Sequence, residues 1–272
     1  MPNLDDRTAE GFDRIWKRIG EPGPEAVDNG LFEIFFSIFP LEALAGEGFD
    51  LGCGNGRIAR CVAPRAGFLH CIDPSEAGLA AAKAAMAHLG NVDFVRASVD
   101  SIPLADGSQD FGYSLGVLHH IPDPAAGLRS CVARLKRGAP FLLYVYYRFD
   151  NRPRWFRLVW RGSDIARRVI SRLPFGLRAA ASTMIAATAY WPLSRAVRLL
   201  RRFGVQADNL PLAFYADHDW ATLRADALDR FGTAVEHRFT RSEVEAMMMA
   251  AGLRDIRFAE GPPYWTAVGF KT

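Results

Sequence analysis

Two adjacent histidines, His119 and His120 in GVLHHIPDP (116–124), are the residues best equipped for chemistry. Imidazole has an ordinary pKa near neutrality, so either ring can take a proton from a hydroxyl at physiological pH. Neighbouring residues cannot both aim at one reacting atom, and the sequence leaves open which of the two is the catalytic base. A second cluster lies upstream. FDLGCGNGR (49–57) ends an apolar run on Asp50 and Leu51, then sets glycines at 52, 54 and 56, which allow close backbone approach to a ligand. A dinucleotide loop requires G-x-G-x-x-G, but Arg57 stands where the third glycine belongs, and no G-K-[ST] follows to make a P-loop. CIDPSE (71–76) adds Asp73, a carboxylate placed either to meet a ribose or to cap the next helix.

These residues need elements to hold them. Short apolar runs predict strands near 48–51, 68–72, 92–96, 110–115 and 139–146. Helical spacing predicts helices near 56–63, 76–88 and 124–136. Strand and helix in alternation mean a parallel sheet with right-handed crossovers, and the glycine loop then lies at the carboxyl edge, where such sheets bind ligands.

FDLGCGNGR, CIDPSE, DSIPLADGSQDF and GVLHHIPDP, in that order over about 100 residues, resemble the class I S-adenosylmethionine-dependent methyltransferases of the small-molecule branch. The resemblance covers 46–147 and resumes near 240. It implies an α/β fold: a doubly wound, seven-stranded Rossmann-like sheet, with a helical cap inserted after the fifth strand and the seventh strand antiparallel. The implied cofactor is S-adenosyl-L-methionine. Asp50, Gly52, Cys53, Gly54 and Gly56 would surround its methionine part, and Asp73 would accept the ribose hydroxyls. Ser98 and Val99 stand where the family usually has Asp-Ala beside the adenine, with Asp100 as a substitute, and Leu115 ends the strand beside the cofactor.

Transfer from a sulfonium to a hydroxyl requires alignment, exclusion of water and a base. O-methylation of a small molecule, sugar or lipid-linked intermediate is the favoured reading. The alternatives are an N-methyltransferase of a small amine, an RNA methyltransferase and a non-enzymatic cofactor-binding module. DNA is excluded as a partner: [DN]-P-P-[YFW] is missing after the fourth strand, and no proline precedes a cysteine. Tyr144 and Tyr146 share a face of the fifth strand and read as pocket wall. Asp217, His218 and Asp219 are consecutive and cannot converge on a metal, so none is expected.

The division expected from these motifs is 1–45, helices closing the cofactor site; 46–147, the cofactor-binding core; 148–238, an arginine-rich cap; and 239–272, core completion. In the first part Phe12, Trp16 and Ile19 fall at helical spacing. In the last, Thr240 and Glu243 form a capping box. Between Arg148 and Arg202 stand thirteen arginines against Asp150 and Asp164 alone, a formal +11 in a chain of +3. Residues 153–173 read as an amphipathic helix, with Trp155, Leu158 and Val159 near one side and Arg154, Arg157, Arg161, Arg168 and Arg172 on the other. SRAVRLLRRFG is a second basic helix. Such arginines suit a solvated lid whose basic face pairs with the acidic remainder of the chain, or an anionic or lipid-linked acceptor at a membrane surface, with RNA the weakest of the three. Four cysteines without zinc-type spacing and no signal segment indicate reduced thiols and a cytoplasmic protein, peripheral to a membrane if the arginines meet lipid.

Overall fold

The computed structural model describes residues 3–20, 22–150, 152–207 and 210–272; the Ile19 side chain lies outside what is described. The chain separates into two units, the first running to Arg148 and resuming at Val235–Thr272, the second Phe149–Ala234.

The first unit opens with α1 (Asp6–Ile19) and α2 (Glu25–Phe36). Then follow β1 (Glu47–Leu51), α3 (Ala59–Val62), β2 (Phe68–Asp73), α4 (Glu76–Ala85), β3 (Val92–Arg96), β4 (Phe111–Leu115), α5 (Pro124–Arg134) and β5 (Pro140–Tyr144). After the second unit, which holds α6 to α9, come α10 (Arg241–Ala250), β6 (Leu253–Phe258) and β7 (Thr266–Lys271). The seven strands form one sheet in the order β3-β2-β1-β4-β5-β7-β6. β1 to β5 are parallel, and β7 is antiparallel to both neighbours. This is the doubly wound Rossmann-like methyltransferase sheet. Both faces are buried, so successive strand residues enter different cores: Phe141 and Leu143 join one cluster, Leu142 the other. The strand order reverses between β1 and β4, the crevice where open α/β sheets bind ligands.

The helix expected at 56–63 is shorter, Ala59–Val62, because Gly56 holds a φ of +85° and cannot join it. Arg57, the residue that spoils a dinucleotide loop, pairs with buried Asp28 at 3.0 Å, and Arg60 meets the other carboxylate oxygen at 2.5 Å. Thr240 and Glu243 form the expected capping box on α10. All four cysteines are buried and free.

The second unit consists of α6 (Arg154–Ile170), α7 (Phe175–Ile185), α8 (Trp191–Arg202) and α9 (Trp220–Gly232). Its core is two small clusters, one of Ala186, Tyr190, Leu223, Ala227 and Phe231, the other of Val197, Ala207, Ala213 and Ala216. α6 is amphipathic, as its sequence indicates, yet its apolar side faces solvent, with Trp155 48%, Leu158 64% and Val159 58% exposed. The buried side instead carries Asp164 and Arg167, joined at 2.8 Å. Arg168 meets Asp164 at 2.9 Å, and the Arg167 guanidinium donates to the Thr233 carbonyl at 3.2 Å. Asp217, in the ADHDW segment, lies 3.3 Å from Arg201, and Asp219 caps α9. No described helix is long and apolar enough to cross a membrane.

Candidate active site

The glycine loop leaves β1 at the centre of the sheet. Gly52, Gly54 and Gly56 all adopt positive φ, at 82°, 53° and 85°. At Gly52 a Cβ would come within 2.2 Å of Val117, so both the backbone conformation and the space demand glycine. A Cβ on Gly54 would meet the Trp16 ring at 2.7 Å. The amides of Gly52 and Cys53 both donate to the Ile72 carbonyl, at 2.7 and 3.3 Å. These bonds fix the loop against the end of β2. The Cys53 thiol is buried, and Cys71 together with burial pushes its pKa up.

Asp73 ends β2. Its carboxylate accepts the Gly54 amide at 2.8 Å and the Ser75 amide at 2.7 Å. It is not the cap of α4; Ser75 is, accepting the Gly78 amide at 3.0 Å. Each carboxylate oxygen keeps lone-pair capacity beyond its one amide. Burial raises Asp73 to about 6 despite those amides, and raises Asp50 to about 8, with Tyr113 opposing and Asp73 adding to the rise. No cation neutralises either carboxylate among the described residues.

Of the expected adenine contacts, Ser98 uses its hydroxyl in a reciprocal cap with Ser101, 3.2 Å away. The Val99 side chain is core, and its carbonyl accepts from Ser130 at 2.6 Å. Asp100 accepts the Asn3 amide, and Asn3 is tied to Asp123 by two further bonds of 2.6 and 2.7 Å. α1 continues this cover. Asp13 accepts from the Ser75 hydroxyl at 2.8 Å and from the Ala77 amide at 3.0 Å, and Phe12 lies 5.3 Å from His120. Phe12 and Trp16, at helical spacing in the sequence, thus lie against His120 and the glycine loop.

β4 ends at Leu115, which pairs with Tyr144 of β5, and the Gly116 amide donates to the Tyr144 carbonyl at 3.0 Å. The turn then brings His119 and His120 in with ring centroids 4.1 Å apart. The two differ. His119 is fully buried and stacks on Tyr146 at 3.8 Å, and neither ring nitrogen has a hydrogen-bond partner among the described residues. Burial above all, then the charges of His120, Arg238 and His237, holds its pKa well below the ordinary value. His120 Nδ1 lies 2.9 Å from the Val235 carbonyl. A carbonyl only accepts, so Nδ1 carries the proton and a neutral ring keeps its basic lone pair on Nε2.

Sequence reading assigns no role to the segment that frames these rings, although it singles out His237 as a polar position. The His237 amide donates to the His119 carbonyl at 2.8 Å, Arg238 lies over Tyr146 at 5.0 Å, and Glu236 is buried against Arg238 at 2.8 Å. These residues come more than a hundred positions after the histidines.

The donor set fits S-adenosylmethionine: backbone opened by three left-handed glycines, a strand-end carboxylate with spare lone pairs, and two buried acids lacking a cation beside a ligand that is one. The comparisons agree. A sequence family described as "Methyltransferase domain" matches residues 49–143. A ubiquinone biosynthesis O-methyltransferase of Marinobacter nauticus is 28% identical over 187 residues, 64% of this chain and 74% of the relative. One from Azotobacter vinelandii is 30% identical over 133 residues, 47% of this chain and 56% of the relative. The chain thus spans three quarters of one curated relative and little more than half of the other. A methyltransferase structure from Thermotoga maritima superposes with a TM-score of 0.50 at 13% identity, covering 97% of this chain and all of that one. An O-methyltransferase family protein of Burkholderia thailandensis gives 0.53 at 13%, covering 91% of this chain and 57% of that one. At such identities the structures speak for the fold alone. Motifs, sheet order and the family match over residues 49–143 together identify a class I S-adenosylmethionine-dependent methyltransferase domain in this chain, with S-adenosylmethionine as its cofactor.

Proposed function

We propose that the protein methylates a hydroxyl group of a small acceptor, with His120 as the proton acceptor. The observation that carries this is the bond between His120 Nδ1 and the Val235 carbonyl, which fixes the tautomer and leaves Nε2 basic. The cofactor supplies an electrophilic methyl group. His120 would take the hydroxyl proton as the acceptor oxygen receives that methyl group. His119, desolvated and stacked on Tyr146, stays neutral; its unpaired nitrogens offer the acceptor a hydrogen bond. Asp50, the glycine loop and Asp73 hold the cofactor, with Ser98, Val99 and Leu115 along its adenine and strand-end sides, beneath a cover made by α1.

The finer reading is a lipid-linked acceptor met by a cytoplasmic protein that sits peripherally at a membrane. The names of the relatives, enzymes of ubiquinone biosynthesis, support a lipid-soluble acceptor bearing a hydroxyl. Residues 148–238 would act as the cap and residues 1–45 as the closure in this scheme.

Single-turnover assays on His120→Ala test the base. The expected loss of rate is about 10²–10⁴-fold with S-adenosylmethionine affinity unchanged, and a smaller loss for His119→Ala. A His120→Ala enzyme of full activity on a hydroxyl acceptor overturns the assignment.

A further inference from the structure

We infer that the second unit docks on an anionic lipid bilayer through the outward face of α6. The inference deepens the lipid-linked reading and rests on it for its purpose. Its evidence is separate. Trp155, Leu158, Ile165 and Val169 recur three and four residues apart around Gly162, so they form one stripe along a helix of 17 residues. All four are exposed, by 48%, 64%, 66% and 58% in that order. Arg154, Arg161 and Arg168 are spaced seven apart and follow one edge of the stripe. Arg154, Arg157 and Arg161 have exposed side chains without an ion-pair partner among the described residues. The single carboxylate of the helix, Asp164, is turned inward against Arg167.

This arrangement inverts ordinary surface-helix design, in which the apolar stripe faces the core and the charges face water. Burial of the ion pair together with exposure of the stripe is sensible when the stripe has an apolar medium of its own. Of the possible occupants, a second copy of the chain fits poorly. Helix pairing along such a stripe is normally answered by opposite charges on its flanks; here every charge on the flanks is an arginine. A bilayer answers both features at once, since apolar side chains enter the acyl boundary while guanidinium groups meet lipid phosphates. Trp155 at one end of the stripe is a side chain enriched at that interface. At 1.5 Å per residue the helix is about 25 Å long, suited to lying in the membrane plane. The end of α8 also exposes apolar side chains, Leu199 by 54% and its capping residue Phe203 by 77%, beside Arg202, whereas Arg198 pairs with Asp217 at 3.6 Å.

The test uses the full-length protein and vesicles of phosphatidylcholine with or without about one quarter phosphatidylglycerol, sedimented at low and high salt. The wild type is expected to pellet with anionic vesicles only, and less at high salt. Leu158→Ser with Ile165→Ser should weaken partitioning at least about tenfold. Arg154→Gln with Arg161→Gln should weaken it about tenfold and flatten the salt dependence. Both variants change exposed residues, so unaltered circular dichroism and calorimetric binding of S-adenosylmethionine should accompany the loss. The inference is overturned if the wild type stays in the supernatant, if both variants bind like it, or if the wild type is a dimer that the apolar variant dissociates. Binding to RNA without binding to vesicles overturns it too. Calorimetry in the same samples separates the two readings: failure to bind the cofactor sinks the methyltransferase site, whereas failure to pellet sinks only the docking face.

Discussion

Asp50 and Asp73 in the first unit and Asp164 in the second are all buried, yet their surroundings are opposite. Burial would raise Asp164, but Arg167, Arg230 and Arg168 hold its carboxyl below the usual range. Asp50 and Asp73 have no such partner, and desolvation raises them to about 8 and about 6. Asp28, in the first unit, follows the paired pattern with Arg57 and Arg60. A carboxylate buried with its cation is architecture; one buried without a cation suits the cationic ligand of the proposed site. Apolar residues divide the same way. In the first unit they fill two cores against a sheet, while in the second the stripe of α6 is left outside and the charged side is enclosed.

The sharpest way to break this comparison is Asp164→Ala. Removing one member of a buried pair strands Arg167, so the second unit should lose about 3–5 kcal/mol of stability, read by urea denaturation. A loss below about 1 kcal/mol would mean that Asp164 is solvated like a surface acid. The companion test concerns leucines. Leu128→Ala, at a fully buried position on α5, should cost about 2–5 kcal/mol, whereas Leu158→Ala on α6 should fall within about 0.5 kcal/mol of wild type. Equal costs would show that the α6 stripe is core.

These contrasts also mark what could be read in advance. The first unit was legible because its signals are local: period-two and helical spacing, and glycines at a strand end whose φ values only glycine adopts without strain. His119 and His120 were legible as residue types. What chooses between them, the Val235 carbonyl, is a backbone group 115 residues away that no side-chain pattern announces. Glu236 and Arg238 escaped for the same reason. The periodicity of α6 shows that its two faces differ but not which one is buried, because periodicity carries no information on the partner. Only the placement of Asp164 and Arg167 decides that.

A smaller effect is expected at the cofactor. Asp73→Asn keeps the shape but replaces a charged acceptor of the Gly54 and Ser75 amides and, in the proposed site, of the ribose. S-adenosylmethionine affinity should fall about 10–100-fold, the worth of one charge-assisted hydrogen bond at about 1.5–3 kcal/mol. Unchanged affinity by calorimetry would place the ribose elsewhere.

The smallest expected effect is a pH dependence, and it separates a carboxylate buried without a cation from a paired one. Asp50 has an ordinary pKa of 3.8 and sits at about 8 in the folded, ligand-free protein. Between those values the folded state holds a proton that the unfolded chain has released, so this group makes stability fall as pH rises, levelling off above about 8. A cationic ligand beside Asp50 favours its ionised form and pulls the pKa down. S-adenosylmethionine should therefore bind more tightly as pH rises from about 6 towards 8, with proton release on binding at the lower end. Asp50→Asn should remove most of the slope in both affinity and stability. Titrations in buffers of different ionisation enthalpy count the released protons. A wild-type affinity independent of pH over that range, or an equal slope in the asparagine variant, would show that Asp50 does not face the cation and that its burial without a partner has another cause.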